Sequence, residues 1–236
     1  MAYNNYVEEI TVSEQRERSS YIIYLYNVLS ESVIRAGGSG ELLFGEERTG
    51  LKLLLPDGAE RLRARIAAQV GEVIGIGYKY EFLRNGLRVC LSKREKKLLC
   101  AALIAADYDG DKGYIRRKIG RSDQYAIDGI YAFRMGALRE KWEKIVGYVP
   151  EGFASSDLKK FCDFMVGESK NKIYLRGNTV FGENFAPLRR SRLTGEEDAE
   201  TEILLSDAGF VYCLGDVEDS LGDFLQKYYA ERAIFS

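Results

Sequence analysis

Hydrophobic and polar residues are spaced along the first part of the chain in a way that predicts both helices and short strands. Apolar residues at helical spacing predict a helix from Ser13, its N-cap, to about residue 35. The same spacing predicts an amphipathic helix over residues 59–74. Two short apolar runs between these helices, 41–45 and 51–55, predict extended strands.

A third extended segment is predicted directly after the second helix. Residues 76–82 alternate in character, as expected of a half-buried strand. The apolar face of this segment carries Ile76, Tyr78, Tyr80 and Phe82. Asn85 and Gly86 then predict a hairpin turn into a strand over residues 87–91. Residues 1–91 are therefore predicted to form an α+β unit with short antiparallel strands.

The second part of the chain, residues 92–236, is predicted to be mainly helical with a few strands near its C-terminus. One helix is predicted over 93–106 with Ser92 as its N-cap, and a long helix is predicted between 122 and 149. A strand, a turn and a strand follow over 172–181. The two parts are predicted to be separate units or one continuous domain, and the fold class is predicted to be α+β.

The long predicted helix carries one cation on an otherwise apolar seam. The seam consists of Ile127, Tyr131, Arg134, Leu138, Trp142, Ile145 and Val149. An unpaired guanidinium in a core is costly, so we expect Arg134 to meet a carboxylate or a carbonyl inside the fold. The alternative is that Arg134 lines a cleft and binds an anion.

The composition excludes several kinds of chemistry. A chain of 236 residues that is 46% hydrophobic can build a sizeable core. Because the sequence has no histidine, it cannot form a Ser-His-Asp triad, a Cys-His pair or a His-ligated metal site. Its four cysteines lack CxxC spacing, which predicts reduced, buried thiols. We therefore predict no catalytic residue, no metal and no cofactor.

Charge and hydropathy give expectations about partners and location. The 34 basic and 36 acidic residues nearly cancel, so no overall field attracts nucleic acid or an anionic membrane. Residues 112–144, however, contain nine basic and four acidic residues. No apolar run approaches the roughly 18 to 20 residues that span a bilayer, and the N-terminus lacks the pattern of a signal peptide. We expect a cytoplasmic protein with no membrane partner.

The stretch ADYDGDKGY places Asp107, Asp109 and Asp111 at alternate positions beside two glycines. A helix-loop-helix calcium site needs glycine at position six of its loop and glutamate at position twelve. Counted from Asp107, these positions hold Lys112 and Lys118, and the register that starts at Asp109 also fails. We therefore predict a solvated turn between helices. The three carboxylates remain candidates for a weak metal site or for an enzyme built on acids.

Three segments of the second part resemble a known family. They are AIDGIYAFRMGALREKWEKIVGYV, DLKKFCDFMVGE and ILLSDAGFVYCL. With the pair Phe133 and Arg134 inside a long helix, and an Asp-Ala-Gly turn at the terminal strand, roughly residues 92–214 resemble the YtxC-like family of sporulation proteins of endospore-forming Firmicutes. The resemblance implies a cytoplasmic protein linked to sporulation, and it transfers no catalytic residue.

A second resemblance covers residues 91–138. The segments LSKREKKLLCAAL and YIRRKIGRSDQYAIDGIYAFRMGALREKW are similar to a helix-turn-helix of the response-regulator and sigma-factor kind. The resemblance implies phosphate contacts from Arg116, Arg117, Lys118 and Arg121. Asp123 and Asp128, near the start of the implied recognition helix, would repel DNA phosphates.

Three hypotheses about function follow. The leading one is a non-enzymatic, cytoplasmic, sporulation-associated protein that acts by contacting another protein. The alternative is a DNA-binding regulator that uses residues 92–140, and the third is an enzyme built on carboxylates. The residues expected to contact an anion or a nucleic acid are Arg116, Arg117, Lys118, Arg121 and Arg134.

Overall fold

The computed structural model describes residues 7–195 and 197–236. These residues group into two compact units, each built from two separate segments of the chain. Unit 1 consists of the described residues up to Tyr78 together with Asp109–Glu140, and unit 2 consists of Lys79–Tyr108 and Lys141–Ser236. The predicted domain boundary after Leu91 stays a prediction, because a compact unit is defined by its internal contacts and need not fold alone.

Helices and strands are distributed over the whole described chain. The strands are β1 (Val7–Gln15), β2 (Ser39–Phe44), β3 (Arg48–Pro56), β4 (Gln124–Ala126), β5 (Asn171–Arg176), β6 (Thr179–Phe181), β7 (Ala208–Cys213) and β8 (Ala233–Phe235). The α-helices are α1 (Ser19–Arg35), α2 (Glu60–Glu72), α3 (Lys79–Gly86), α4 (Lys93–Ile119), α5 (Ile127–Arg134), α6 (Gly136–Tyr148), α7 (Ser155–Glu168), α8 (Ala199–Leu205) and α9 (Asp219–Tyr228). A π-helix over Val73–Tyr78 joins α2 to α3.

Unit 1 is a mixed sheet covered by α1. The strand order is β2-β3-β1-β4, in which β1 and β2 pair antiparallel with β3, and β4 pairs parallel with β1. Ile10 and Val12 of β1 lie opposite Leu53 and Leu51 of β3, and all four side chains are buried. Leu29 and its neighbours on α1 cover this face of the sheet, so the core of unit 1 lies between them.

Unit 2 has its own sheet, with the strand order β6-β5-β7-β8. The predicted strand, turn and strand over 172–181 are confirmed as the antiparallel pair β5 and β6. Gly177 supplies the positive φ of 55° that their turn requires. β7 pairs parallel with both β5 and β8, and α7, α8 and α9 supply helices for this unit's core. The predicted α+β class is confirmed, since both units combine helices with a mixed sheet.

The predicted helix start at Ser13 is wrong. Ser13 lies in β1, and α1 begins at Ser19. Ile10, Val12 and Glu14 alternate onto the buried face of the sheet, and the chain pairs with β3 as far as Gln15. Hydrogen bonds and burial across the sheet outweigh the local capping signal of a serine, which is worth only about 1 kcal/mol.

The predicted strand over residues 76–82 and its hairpin are also wrong. These residues are helical, in the π-helix and in α3, and residues 87–91 form no strand. The alternation was misleading because its second face is not exposed: Gly77 and Lys79 are buried, as are Tyr78 and Tyr80. A segment that is buried on both sides gives no periodicity by which helix and strand differ.

The single long helix predicted between 122 and 149 is interrupted. It is replaced by β4, by α5, which ends at Arg134, and by α6, which begins at Gly136. Met135 between the helices has φ −107° and ψ 23°, outside the helical range, and its side chain is fully buried. Within the described ranges, no helix combines the length and the apolar character needed to cross a membrane.

Candidate functional site

The basic residues that the sequence singled out lie on the surface of unit 1, at the C-terminal end of α4 and beside it. Arg116, Arg117 and Lys118 occupy the last turn of α4, and all three are exposed. Arg121 follows the helix and forms an exposed ion pair with Glu60 at 3.0 Å. Cations at a helix C-terminus are favoured by the macrodipole, so this arrangement is stable without any ligand.

Arg134 lies on the same surface and not in the core. Its guanidinium donates to the backbone carbonyls of Lys118 at 3.4 Å and Ile119 at 3.3 Å, the last two residues of α4. The expectation that it meets a carbonyl is therefore confirmed, but its predicted burial on the seam is wrong, because α5 ends at this residue. These bonds tie the end of α5 to the end of α4.

Phe133, next to Arg134, is the most exposed large hydrophobic side chain among the described residues, at 90%. The sequence pattern gave no sign of this, because the pair lay inside a helix that was predicted to be continuous. We call the exposed side chains at the ends of these two helices the α4–α5 surface. It consists of Arg116, Arg117, Lys118, Arg121, Phe133 and Arg134.

The segment between the two helices differs from a helix-turn-helix. Gly120 ends α4 with a φ of 65°, but β4 then pairs with β1 before α5 begins. Asp128, expected to repel phosphates, is held by Arg48 through hydrogen bonds of 2.6 and 3.0 Å, which lower its pKa. Asp123 is bound by Arg63 at 2.7 Å. Both acids are thus partly neutralised within unit 1.

The predicted turn at ADYDGDKGY is wrong, since α4 continues through it to Ile119. Asp107, in unit 2, accepts hydrogen bonds from the buried Lys79 at 3.0 Å and from Lys141 at 2.5 Å. Burial alone would raise the pKa of Asp107, but the two lysines outweigh it and the pKa is lowered. In the parts of the chain that the structure describes, no three His, Cys, Asp or Glu side chains form a group that would hold a metal ion.

A buried acid in unit 1 escaped the sequence analysis. The carboxylate of Glu14, on β1, is fully buried and accepts hydrogen bonds from the Tyr78 hydroxyl and the Gln15 amide, both at 2.8 Å. Burial raises its pKa, and these hydrogen bonds offset the effect only in part. Arg18 lies 4.8 Å from the centre of the Tyr78 ring. The alternation of Glu14 with Ile10 on β1 was the signal that pointed to its burial.

The cysteines follow the prediction in three of four cases. Cys100, Cys162 and Cys213 are buried free thiols, and burial raises the pKa of Cys100 and of Cys162 to about 12. Cys90 is exposed, because the segment that contains it is not the predicted strand.

Comparison with known proteins adds nothing to this geometry: no protein-family model matches the chain, and no curated protein or solved structure is significantly similar to it.

Proposed function

We propose that this chain is a non-enzymatic protein that binds an acidic protein partner through the α4–α5 surface. The observation that carries the proposal is the exposure of Phe133 beside exposed arginines. Aromatic residues and arginine are the types that concentrate binding energy in protein interfaces. Exposing most of a phenylalanine to water is unfavourable, and contact with a partner would remove that cost.

Charge complementarity favours an acidic partner. Five cations accompany Phe133, and only Arg121 among them is paired with a carboxylate of the described residues. The anchoring of Arg134 to the carbonyls of α4 orders part of this surface in advance, which reduces the entropy lost on binding. From the resemblance to YtxC-like proteins, we propose that the partner acts in sporulation and that the complex forms in the cytoplasm.

Binding to DNA is the second candidate, because the same cations suit phosphates. It is supported by the partial neutralisation of Asp123 and Asp128, which removes much of the repulsion expected from the sequence. The strand between α4 and α5 stands against insertion of α5 in the manner of a helix-turn-helix, so phosphate contacts alone would carry the binding.

Photocrosslinking distinguishes the two candidates. A photoreactive p-benzoylphenylalanine placed at position 133, in cells of the source organism entering sporulation, should form a covalent adduct with a protein. Position 164 is the matched control, because Phe164 is also an exposed phenylalanine, at 66%, but lies on α7. A protein adduct at 133 and none at 164 supports the proposal. Adducts with DNA would support the second candidate, and equal adducts at both positions would contradict both.

Phe133→Ser tests the link to sporulation. Since the side chain is already exposed, we expect an unchanged protein level, measured by immunoblot, and a spore yield reduced at least tenfold. Phe164→Ser should leave the yield unchanged. A Phe133→Ser strain with normal spore counts would rule out this surface as the site of a sporulation function.

A further inference from the structure

Unit 2 contains a cavity of about 340 Å³ with a strongly basic wall. It is formed by α3 and the first turns of α4. The lining residues are Tyr80, Arg84, Lys93, Arg94, Lys96, Lys97 and Cys100. Five of the seven are basic and none is acidic. We call this the basic cavity; none of its residues belongs to the α4–α5 surface.

Carboxylates of the described residues balance the charge of two of the five cations. Arg94 forms a two-point ion pair with Glu200, one hydrogen bond of which is 3.0 Å long, and Lys97 lies 3.1 Å from Asp198. These acids belong to α8 and its N-cap, and they hold two cations of the wall in defined positions.

The other three cations are not neutralised. Lys96 donates to the backbone carbonyl of Leu87 at 2.8 Å, a partner without net charge. In the described residues, no carboxylate lies within ion-pair distance of Arg84 or Lys93. Burial raises the pKa of the Cys100 thiol to about 12, so this residue adds no negative charge near neutral pH. The cavity therefore holds a surplus of positive charge.

Two of the three uncompensated cations, Lys93 and Lys96, lie in the first turns of α4. The macrodipole is already positive there and acidic residues are preferred, so these two charges are unfavourably placed in the absence of a ligand. They are not needed to cap the helix, because Ser92 and Glu95 bond reciprocally to each other's backbone amides at 3.3 and 3.2 Å. A bound anion would relieve the mutual repulsion of the cations.

We propose that the basic cavity binds a small anion that carries phosphate groups. Its volume lies within the roughly 300 to 1,000 Å³ typical of small-molecule sites, although its polar wall suits a compact, highly charged ligand better than an apolar one. The guanidinium of Arg84 matches phosphate geometry with two parallel hydrogen bonds, and lysine ammonium groups supply point charges. Tyr80 contributes little to the wall, because only 6% of its surface is exposed, so the charged groups would make most of the contacts with a ligand.

Isothermal titration calorimetry of the full chain in a phosphate-free chloride buffer tests the proposal. Sodium pyrophosphate is the first probe and AMP the second. We expect one site per chain with pyrophosphate, and a melting temperature that rises with pyrophosphate concentration. Tighter binding of AMP would identify a nucleotide as the ligand, and equal or weaker binding would identify the phosphate groups themselves.

A charge-matched pair of double variants makes the test specific. Arg84→Gln/Lys93→Gln removes two uncompensated cations of the cavity, and we expect at least a tenfold loss of pyrophosphate affinity. Lys170→Gln/Lys172→Gln removes the same charge from exposed positions of unit 2 outside the cavity, and should bind like the unaltered protein.

The ligand-free melting temperature of Arg84→Gln/Lys93→Gln should equal or exceed that of the unaltered protein, which verifies that it folds. No heat with millimolar pyrophosphate would overturn the proposal. So would equal loss of affinity in both double variants, since that result would mean binding by net charge alone. Because the α4–α5 surface is untouched, these outcomes are independent of the crosslinking results.

Discussion

The burial of two polar residues, Glu14 and Arg134, is the opposite of what their sequence contexts suggested. Arg134 follows the spacing of a buried seam, yet it is exposed and closes the end of α4. Glu14 falls in the first turn of a predicted helix, yet its carboxylate is fully buried against Tyr78. The residue at which a helix or strand begins or ends determines whether a nearby side chain faces the core or the solvent. An error in the predicted boundary therefore reverses the predicted burial.

The raised pKa of Glu14 leads to a prediction about stability and pH. The folded protein binds this proton more tightly than the unfolded chain does, so its contribution is fully present below the unfolded pKa and is lost as pH rises through the folded pKa. Glu14→Gln imitates the protonated form at every pH. We therefore expect the free energy of unfolding of the unaltered protein, relative to Glu14→Gln, to fall as the pH rises above the unfolded pKa of about 4.3.

Urea unfolding at several pH values measures this difference. Glu202, whose pKa burial also raises, is present in both proteins and cancels. The control is Glu17→Gln, which removes a carboxylate of the same kind from an exposed position. A stability difference for Glu14→Gln that does not change with pH would contradict the assignment.

In helix α4, tertiary packing outweighs the local preference of the sequence for a turn. Asp and Gly residues, which favour turns, lie in its interior, yet the helix continues to Ile119. Leu99 and Ile104 before that stretch and Ile115 after it are buried, and their packing stabilises the helix. A glycine inside a helix lowers the stability relative to alanine, and packing offsets this loss. The exception is a glycine that lets another group approach the backbone closely.

Two glycine substitutions should therefore have opposite effects. At Gly113 in α4, an added methyl group meets only Arg117, at 3.8 Å, so Gly113→Ala should raise the free energy of unfolding by about 0.5–1 kcal/mol. At Gly77 in the π-helix, it would approach the buried Tyr21 ring to 2.8 Å, so Gly77→Ala should lower the free energy by about 1–3 kcal/mol. Urea unfolding measures both. Stabilisation by Gly77→Ala would show that this close contact is absent.

At the scale of the whole molecule, the two compact units share two helices. Residues up to Tyr108 of α4 belong to unit 2 and the rest to unit 1, while α6 passes from unit 1 to unit 2 after Glu140. Each helix is cooperative along its length, since breaking it costs the hydrogen bonds of a turn in both parts. We infer that neither unit unfolds without affecting the other.

Leu29→Ala tests this coupling. Leu29 is fully buried in unit 1, and its truncation should cost about 2–5 kcal/mol. Trp142, the single tryptophan, is buried in unit 2 and reports on that unit by fluorescence. We expect the urea midpoints from Trp142 fluorescence and from far-UV circular dichroism to fall together, by about 1 M. An unchanged fluorescence midpoint with a biphasic dichroism curve would show independent units.

The parts of the fold that could be predicted are those whose periodicity and turn residues lie within one continuous segment of the chain. The helix predicted over 59–74 matches α2 closely, because Leu62, Ile66 and Val70 face the core and the residues between them are exposed or only partly buried. The pair β5 and β6 has alternation and a glycine turn together. In the candidate site, charge alone indicated the surface cations Arg116, Arg117, Lys118 and Arg121, whereas the exposure of Arg134 and of Phe133 was not predicted.

Sequence alone was sufficient to predict the α+β class, the amphipathic helix α2, the strand pair β5 and β6 and the exclusion of histidine chemistry, because each depends only on composition or on a period repeated within one segment. Tertiary contacts were needed to make residues 76–82 helical, to pair Glu14 with Tyr78 and to cap α4 with Arg134. These depend on partners distant in the chain, such as Tyr78 for Glu14 and Ile119 for Arg134. A contact between distant segments leaves no period in the sequence, so only the folded chain shows it.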